Sequence, residues 1–203
     1  MKLFDIGNSR VHFYEDSIIK HFSTNEFNYE AVKEKVFYIS VNRTISKNLK
    51  NLTNWIDLSA HIKPFYETMG IDRQVACMAE SNAVIIDAGS AITVDVMENG
   101  KYGGGYILPG LSAMQNCYST ISPALYTSFN FELSLDKMAT NTRDSITFGY
   151  LGTFALHINS LGKKVFLTGG DAKTIEPLFE NVTVEEGLVF RAMLKIINEE
   201  GLC

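Results

Sequence analysis

Long apolar runs are missing from this 203-residue chain. No stretch of roughly 18 apolar residues is available to span a bilayer, and the opening Met1-Lys2-Leu3-Phe4-Asp5 puts an acid where a secretory signal would continue apolar. A cytoplasmic protein without a membrane partner is expected. Cysteine is scarce: Cys77, Cys117 and Cys203 are odd in number, widely spaced and free of any CxxC pattern, which excludes a disulfide framework and reads as three reduced thiols. The four histidines, His12, His21, His61 and His157, lack metal-ligand spacing, so zinc chemistry has no support. Positive charge is also short. Lys and Arg number 18 against 23 Asp and Glu, for a net charge of -5, so no global field favours nucleic acid. With four prolines and no Pro-rich or Ser-rich linker, any domain boundary falls inside compact structure. The common nucleotide signatures, GxxxxGK[ST] and GxGxxG, are absent as well.

What remains is a chain 46% apolar and 20% charged, enough to bury one core or two small ones. Two segments look like variants of one device. The apolar entry Lys2-Leu3-Phe4 leads into Asp5-Ile6-Gly7-Asn8-Ser9 and then Val11-His12-Phe13-Tyr14; Ala83-Val84-Ile85-Ile86 leads into Asp87-Ala88-Gly89-Ser90 and then Ile92-Thr93-Val94-Asp95-Val96. Each reads as strand, tight turn, strand, with an Asp at the end of the first strand, a Gly two positions later and a short polar side chain after that. A core strand is expected over 36–41 and helices over 45–52, 111–121, 145–161 and 184–198. Gly103-Gly104-Gly105 and Pro109-Gly110 punctuate the chain, and Lys164-Val165-Phe166-Leu167 forms another strand ending on Thr168-Gly169-Gly170-Asp171. The boundary between two halves is placed just before Ala83, giving domains 1–82 and 83–203.

Glycine in a turn lets backbone N–H groups approach an anion, because no Cβ intervenes and positive φ costs little. An Asp-x-Gly-x-[Ser/Thr] hairpin can therefore cradle phosphate oxygens while its Asp faces a metal ion or that ion's water shell. A single such turn is weak, since Asp and Gly are common turn residues. The duplication, with a third glycine turn at 168–170, points to nucleotide binding.

The arrangement resembles the actin, sugar kinase and heat-shock ATPase superfamily, with two phosphate loops and an adenosine loop. Within it, the ordered motifs resemble type III pantothenate kinases over nearly the whole chain. Asp5-Ile6-Gly7-Asn8-Ser9-Arg10 looks like the family's first phosphate loop, Gly70-Ile71-Asp72-Arg73 like its GxDR substrate motif and Asp87-Ala88-Gly89-Ser90-Ala91-Ile92-Thr93-Val94-Asp95 like its second phosphate loop. Gly104-Gly105-Tyr106-Ile107-Leu108-Pro109-Gly110, Asn141-Thr142-Arg143-Asp144-Ser145-Ile146 and Thr168-Gly169-Gly170-Asp171 look like the elements that follow. The implied fold is α/β: two similar ribonuclease H-like (actin-like ATPase) domains, each a mixed sheet flanked by helices, with ATP in the cleft between them.

The resemblance implies ATP-dependent phosphorylation of pantothenate, the first step of coenzyme A synthesis. Asp72 takes the part of general base. Tyr66, Gly70, Ile71, Asp72 and Arg73 line the pantothenate site, and Thr142 is added from the partner subunit of a homodimer. ATP is bound by Asp5, Ile6, Gly7, Asn8, Ser9, Arg10, Val11 and His12, by Ser90, and by Gly169 and Gly170. Asp87 matches the ligand of a monovalent cation, potassium or ammonium, and magnesium accompanies ATP. Ser90 stands where the family more often has Thr, which keeps the hydroxyl, and the chain is shorter than many members ahead of the GxDR motif. Two competing readings are a superfamily kinase for another small hydroxy acid, against which GxDR argues, and a non-enzymatic regulatory relative, against which Asp72 argues.

Overall fold

Three of the five residues of the short run Lys2–Ile6 are apolar and buried, and in the computed structural model, which describes residues 1–202, it forms the central strand β1 of a five-stranded sheet. β1 pairs antiparallel with β2 (Arg10–Glu15), which pairs antiparallel with β3 (Ile18–Ser23). The hairpin between β2 and β3 turns on Asp16 and Ser17, both at positive φ, the geometry that a two-residue turn needs to match strand twist. On its other side β1 pairs in parallel with β4 (Val36–Ser40), and β4 with β5 (Trp55–Asp57), so the order is β3-β2-β1-β4-β5. Helix α1 (Arg43–Leu49) begins two residues earlier than its apolar pattern suggests, because the Asn42 side chain accepts from the Ile45 N–H at 3.1 Å. Helix α2 (Ile71–Met78) buries Gln74, Val75, Ala76 and Cys77. Phe4, Ile6, Val11, Val36, Tyr38, Leu49 and Trp55 form one core of this unit.

The second sheet repeats the first. Its central strand β6 (Ala83–Ala88) pairs antiparallel with β7 (Ala91–Glu98), which pairs antiparallel with β8 (Lys101–Pro109). Helix α3 (Leu111–Ile121) follows over its expected span. The single helix expected over 145–161 is instead α4 (Thr142–Thr147), a π-helical turn at Phe148–Gly152 and α5 (Thr153–Ser160). β9 (Val165–Thr168) pairs in parallel with β6, and after the short α6 (Ala172–Ile175), β10 (Val182–Val184) pairs in parallel with β9. The order β8-β7-β6-β9-β10 reproduces the topology of the first sheet strand for strand. Both units are ribonuclease H-like, a mixed sheet flanked by helices. β6 and β9 carry nearly continuous buried side chains, as strands covered on both faces require. β8 is an edge strand that alternates exposed and half-buried residues despite its glycines, so the run read as punctuation is a strand.

The last helix is α7 (Leu188–Glu199); Val184, expected within it, ends β10. The chain divides into Met1–Ala79 with Gly187–Cys203, and Glu80–Glu186. The first unit thus takes in, as well as residues 1–79, the final helix. Its apolar stripe accounts for this. Leu188, Phe190, Met193 and Ile197 are buried, Tyr14 and Phe190 stack with centroids 5.3 Å apart, and Arg191 and Lys195 donate to the Ala79 and Met78 carbonyls at the end of α2 at 3.1 and 3.3 Å. An amphipathic helix shows in sequence that it needs a partner, not which one. Of the three cysteines, Cys77 is buried and Cys117 exposed, both as thiols outside any disulfide, and Cys203 lies outside the described residues. Among the described residues no helix is long and apolar enough to cross a membrane.

Candidate active site

The duplicated topology puts Asp5 and Asp87 at matching places, each the last residue but one of its central strand. The turns that follow differ in length. β1 and β2 are separated by residues 7–9, closed by the Gly7 N–H donating to Arg10 O at 2.9 Å; β6 and β7 are separated only by residues 89–90, closed by the Gly89 N–H donating to Ala91 O at 3.0 Å. In the first turn Asn8, Ser9 and Arg10 are exposed while Ile6 and Val11 are fully buried. The side chains of Ile6 and Val11 thus serve the core and leave only backbone for a ligand. His12 turns toward β3, with its Nδ1 2.7 Å from Nδ1 of His21.

Buried Thr24 holds this turn from below: its N–H donates to Ser9 O at 3.1 Å and its hydroxyl to Gly7 O at 3.2 Å. Nothing in the sequence marks Thr24, which follows an edge strand and matches no motif. Val41, which the sequence marks only as the end of a core strand, has a further role. Its N–H donates to Ile6 O at 3.1 Å, and its Cγ1 is 3.9 Å from the point a Cβ on Gly70 would occupy, so one residue links the first turn to the start of α2.

Gly70 caps α2, and Asp72 lies in the first turn, where the helix dipole favours negative charge. Asp72 Oδ1 accepts from the Arg73 N–H at 2.8 Å. The Arg73 Nη1 donates to the Tyr66 hydroxyl at 2.9 Å, which brings together three of the expected substrate residues. Buried Gln74 ties down the preceding loop by donating to Lys63 O at 2.6 Å. The arrangement presents a carboxylate, a guanidinium and a phenol from adjacent positions, suited to accept a proton from an alcohol and to hold an anionic substrate.

In the second unit Asp87 is half-buried and Ser90 exposed. The residues 168–171 close onto them. Gly169 has φ +93°, and a Cβ there would overlap Asp87 Oδ1 and sit 2.5 Å from Ala88 O; the Asp171 N–H donates to that carbonyl at 2.9 Å. Thr142 is elsewhere. It opens α4, capped by Asn141, whose Oδ1 accepts from the Asp144 N–H at 2.9 Å, and lines a cavity of about 580 Å³ with Tyr118, Leu125, Thr140 and Ser145. That cavity shares no lining residue with the 87–90 or 168–171 turns. Hydrogen bonds from Asn130 and Asn141 hold the Asp144 carboxyl below its usual range. Arg143 is occupied with the Ser128 and Phe129 carbonyls at 3.1 and 3.2 Å.

Residues 23–164 match the model of the type III pantothenate kinase family. The chain belongs to the type III pantothenate kinases. A type III pantothenate kinase of Sulfurimonas denitrificans is 47% identical over 205 residues that cover 100% of each chain. The crystal structure of a Campylobacter jejuni protein described as a candidate Baf family transcriptional activator is 36% identical, covers 100% of both chains and superposes with a TM-score of 0.88. A Listeria monocytogenes candidate N-acetylmannosamine kinase, 12% identical over 99% of this chain and 100% of its own, has a TM-score of 0.54 and shares the fold alone.

Proposed function

We propose that this type III pantothenate kinase transfers the γ-phosphoryl group of ATP to the primary hydroxyl of pantothenate with Asp72 as general base. The family establishes the reaction, the first step of coenzyme A synthesis. The single observation that carries the residue assignment is the seating of Asp72 at the start of α2, bonded to the Arg73 N–H beside the Arg73–Tyr66 pair. The hydroxyl oxygen bonds to the γ-phosphorus, the bond from that phosphorus to the β,γ-bridging oxygen breaks, and ADP leaves with the electron pair. The hydroxyl proton passes to Asp72. Removing it is worth about 10² to 10⁴ in rate. Arg73 pairs with the pantothenate carboxylate, and Tyr66 fixes the guanidinium that does so.

ATP phosphates are assigned to the backbone of residues 5–9 in the first unit and to Ser90 in the second, with Gly169 and Gly170 passing close to adenosine. Among the described residues no three His, Cys, Asp or Glu side chains converge as a metal site. Magnesium would take most of its ligands from ATP and water. Beside Gly169, Asp87 Oδ1 and Ala88 O offer oxygen donors with one negative charge, in space that a Cβ would fill. That donor set fits potassium or ammonium held by Asp87. When bound, such cations offset negative charge near the phosphates.

A homodimer completes the substrate site through Thr142. The exposure of Ile121, Tyr126 and Met138 at 66% or more supports an apolar interface on the second unit. ADP release from ATP and magnesium, measured with and without pantothenate in potassium and in sodium, tests the reading. Pantothenate-dependent, potassium-stimulated release is expected. Release that persists with Asp72→Asn would remove Asp72 from the mechanism, and a monomer with full activity would remove Thr142 from the substrate site.

A further inference from the structure

The helical segment that begins at Thr142 does not run regularly. Its π-helical turn at Phe148–Gly152 carries one residue more than an α-helical turn would, which shifts the phase of the following side chains by about 100°. Gly152, which ends this turn, leaves room for Leu135, whose Cδ2 would lie 2.9 Å from a Cβ there. Tyr150 points into the second unit's core, 5% exposed, with its ring 5.5 Å from that of Phe129.

Its hydroxyl donates to the Pro109 carbonyl at the end of β8. The next residue, Gly110, donates its N–H to Ser90 O at 3.0 Å. A Cβ at Gly110 would overlap Gly89 O and lie 2.6 Å from Ser90 O, so backbone rests directly on backbone there. The opposite flank of the same turn is held by the Asp171 N–H on Ala88 O. Burial first, then the neighbouring Asp171 charge and Tyr118, pushes the Tyr150 phenol up to about 12, which keeps it a donor at neutral pH.

We propose that Tyr150 is a positioning residue for the second phosphate loop: by holding Pro109 it presses Gly110 against Gly89 and Ser90 and fixes the place where the Ser90 hydroxyl meets ATP. The inference rests on the assignment of residues 87–90 to the ATP phosphates. Tyr150 itself touches neither substrate. Its loss frees the Pro109–Gly110 backbone and loosens the turn, so the cost falls on ATP and not on pantothenate, whose assigned residues in the same chain are untouched.

Steady-state kinetics of Tyr150→Phe and Ser90→Ala separate the inference from the reading beneath it. For Tyr150→Phe the KM for ATP should rise about five- to tenfold, the effect of one lost hydrogen bond, with the KM for pantothenate within about twofold of the parent. If Ser90→Ala raises the KM for ATP but Tyr150→Phe lowers only the melting temperature or the active fraction, Tyr150 is structural and the inference falls. If Ser90→Ala leaves the KM for ATP unchanged, the phosphate-loop assignment itself is wrong. Incorporation of 4-fluorophenylalanine at position 150 fills the hydroxyl's volume without a donor. It gives the same reading should the Phe variant fail to fold.

Discussion

The Asp72 carboxylate and Gly70 compete for one space: a Cβ on Gly70 would lie 2.5 Å from Asp72 Oδ1. Gly70 has φ −61° and ψ 139°, a conformation that any residue adopts, so glycine is required there for the room it leaves and not for its backbone freedom. The first residue of the GxDR motif is thus a condition on where the third can sit.

Gly70→Ala should therefore keep the fold and displace the carboxylate. Turnover is expected to fall about tenfold or more, the scale of a misplaced catalytic group, while the KM for ATP and the melting temperature stay near their parent values. Unchanged turnover would show that Asp72 has no need of this position.

Asp72→Asn keeps the shape and removes the proposed base. A loss of about 10² or more in kcat is expected, with ATP affinity retained in an equilibrium titration. Parallel loss of ATP binding would mean that Asp72 serves the nucleotide instead.

Thr24→Val replaces a hydroxyl with a methyl of similar size beneath the first turn. Gly7 O loses its partner from Thr24, and the backbone bond to Ser9 O remains. We expect about 1 kcal/mol of stability to be lost, read by denaturant titration, together with a several-fold higher KM for ATP. A variant that loses stability with an unaltered KM would confine Thr24 to the fold.

Alkaline pH should unfold the protein within a definite window. Burial pushes the hydroxyls of Tyr29, Tyr38 and Tyr150 up to about 12 from an ordinary value of 10.0, aided at Tyr38 by Asp57 and at Tyr150 by Asp171. A folded pKa above the unfolded one means the unfolded chain loses its protons first. The contribution is complete below pH 10 and is lost as pH rises through about 12. Denaturant midpoints measured from pH 8 to 12 should be flat at first and then fall. Tyrosinate absorbance at pH 10 should show these three still protonated, and early ionisation of all nine tyrosines would contradict the burial.

Much of the candidate site could be read from residue order because its parts are local. Asp5 through Ser9 and Asp87 through Ser90 are contiguous, and a strand ending in Asp-x-Gly specifies a tight turn whatever surrounds it. The match between the two units in strand order bears out the duplication that those short motifs suggested. Less legible was the π-helical turn, since residues 145–161 carry apolar residues at acceptable helical spacing and a one-residue phase shift leaves little trace in it. The Gly103 to Gly105 run hid a strand for a related reason. Gly105 faces the Asp95 carboxylate and the Tyr102 hydroxyl, which bond to each other at 2.9 Å, and glycine there answers to a crowded neighbour that no local pattern reveals.

By itself the sequence determined the family and with it the class of chemistry, and it supplied the candidate residues, because side-chain type and close spacing decide what a turn can bind. Tertiary structure alone decided that α7 joins the first unit, that Thr24 and Val41 support the first turn, and that Tyr150 reaches Pro109 beside the second. Each of these depends on groups far apart in the chain meeting at van der Waals or hydrogen-bond distance. Such meetings are settled by the packing of whole elements, to which no single stretch of sequence testifies.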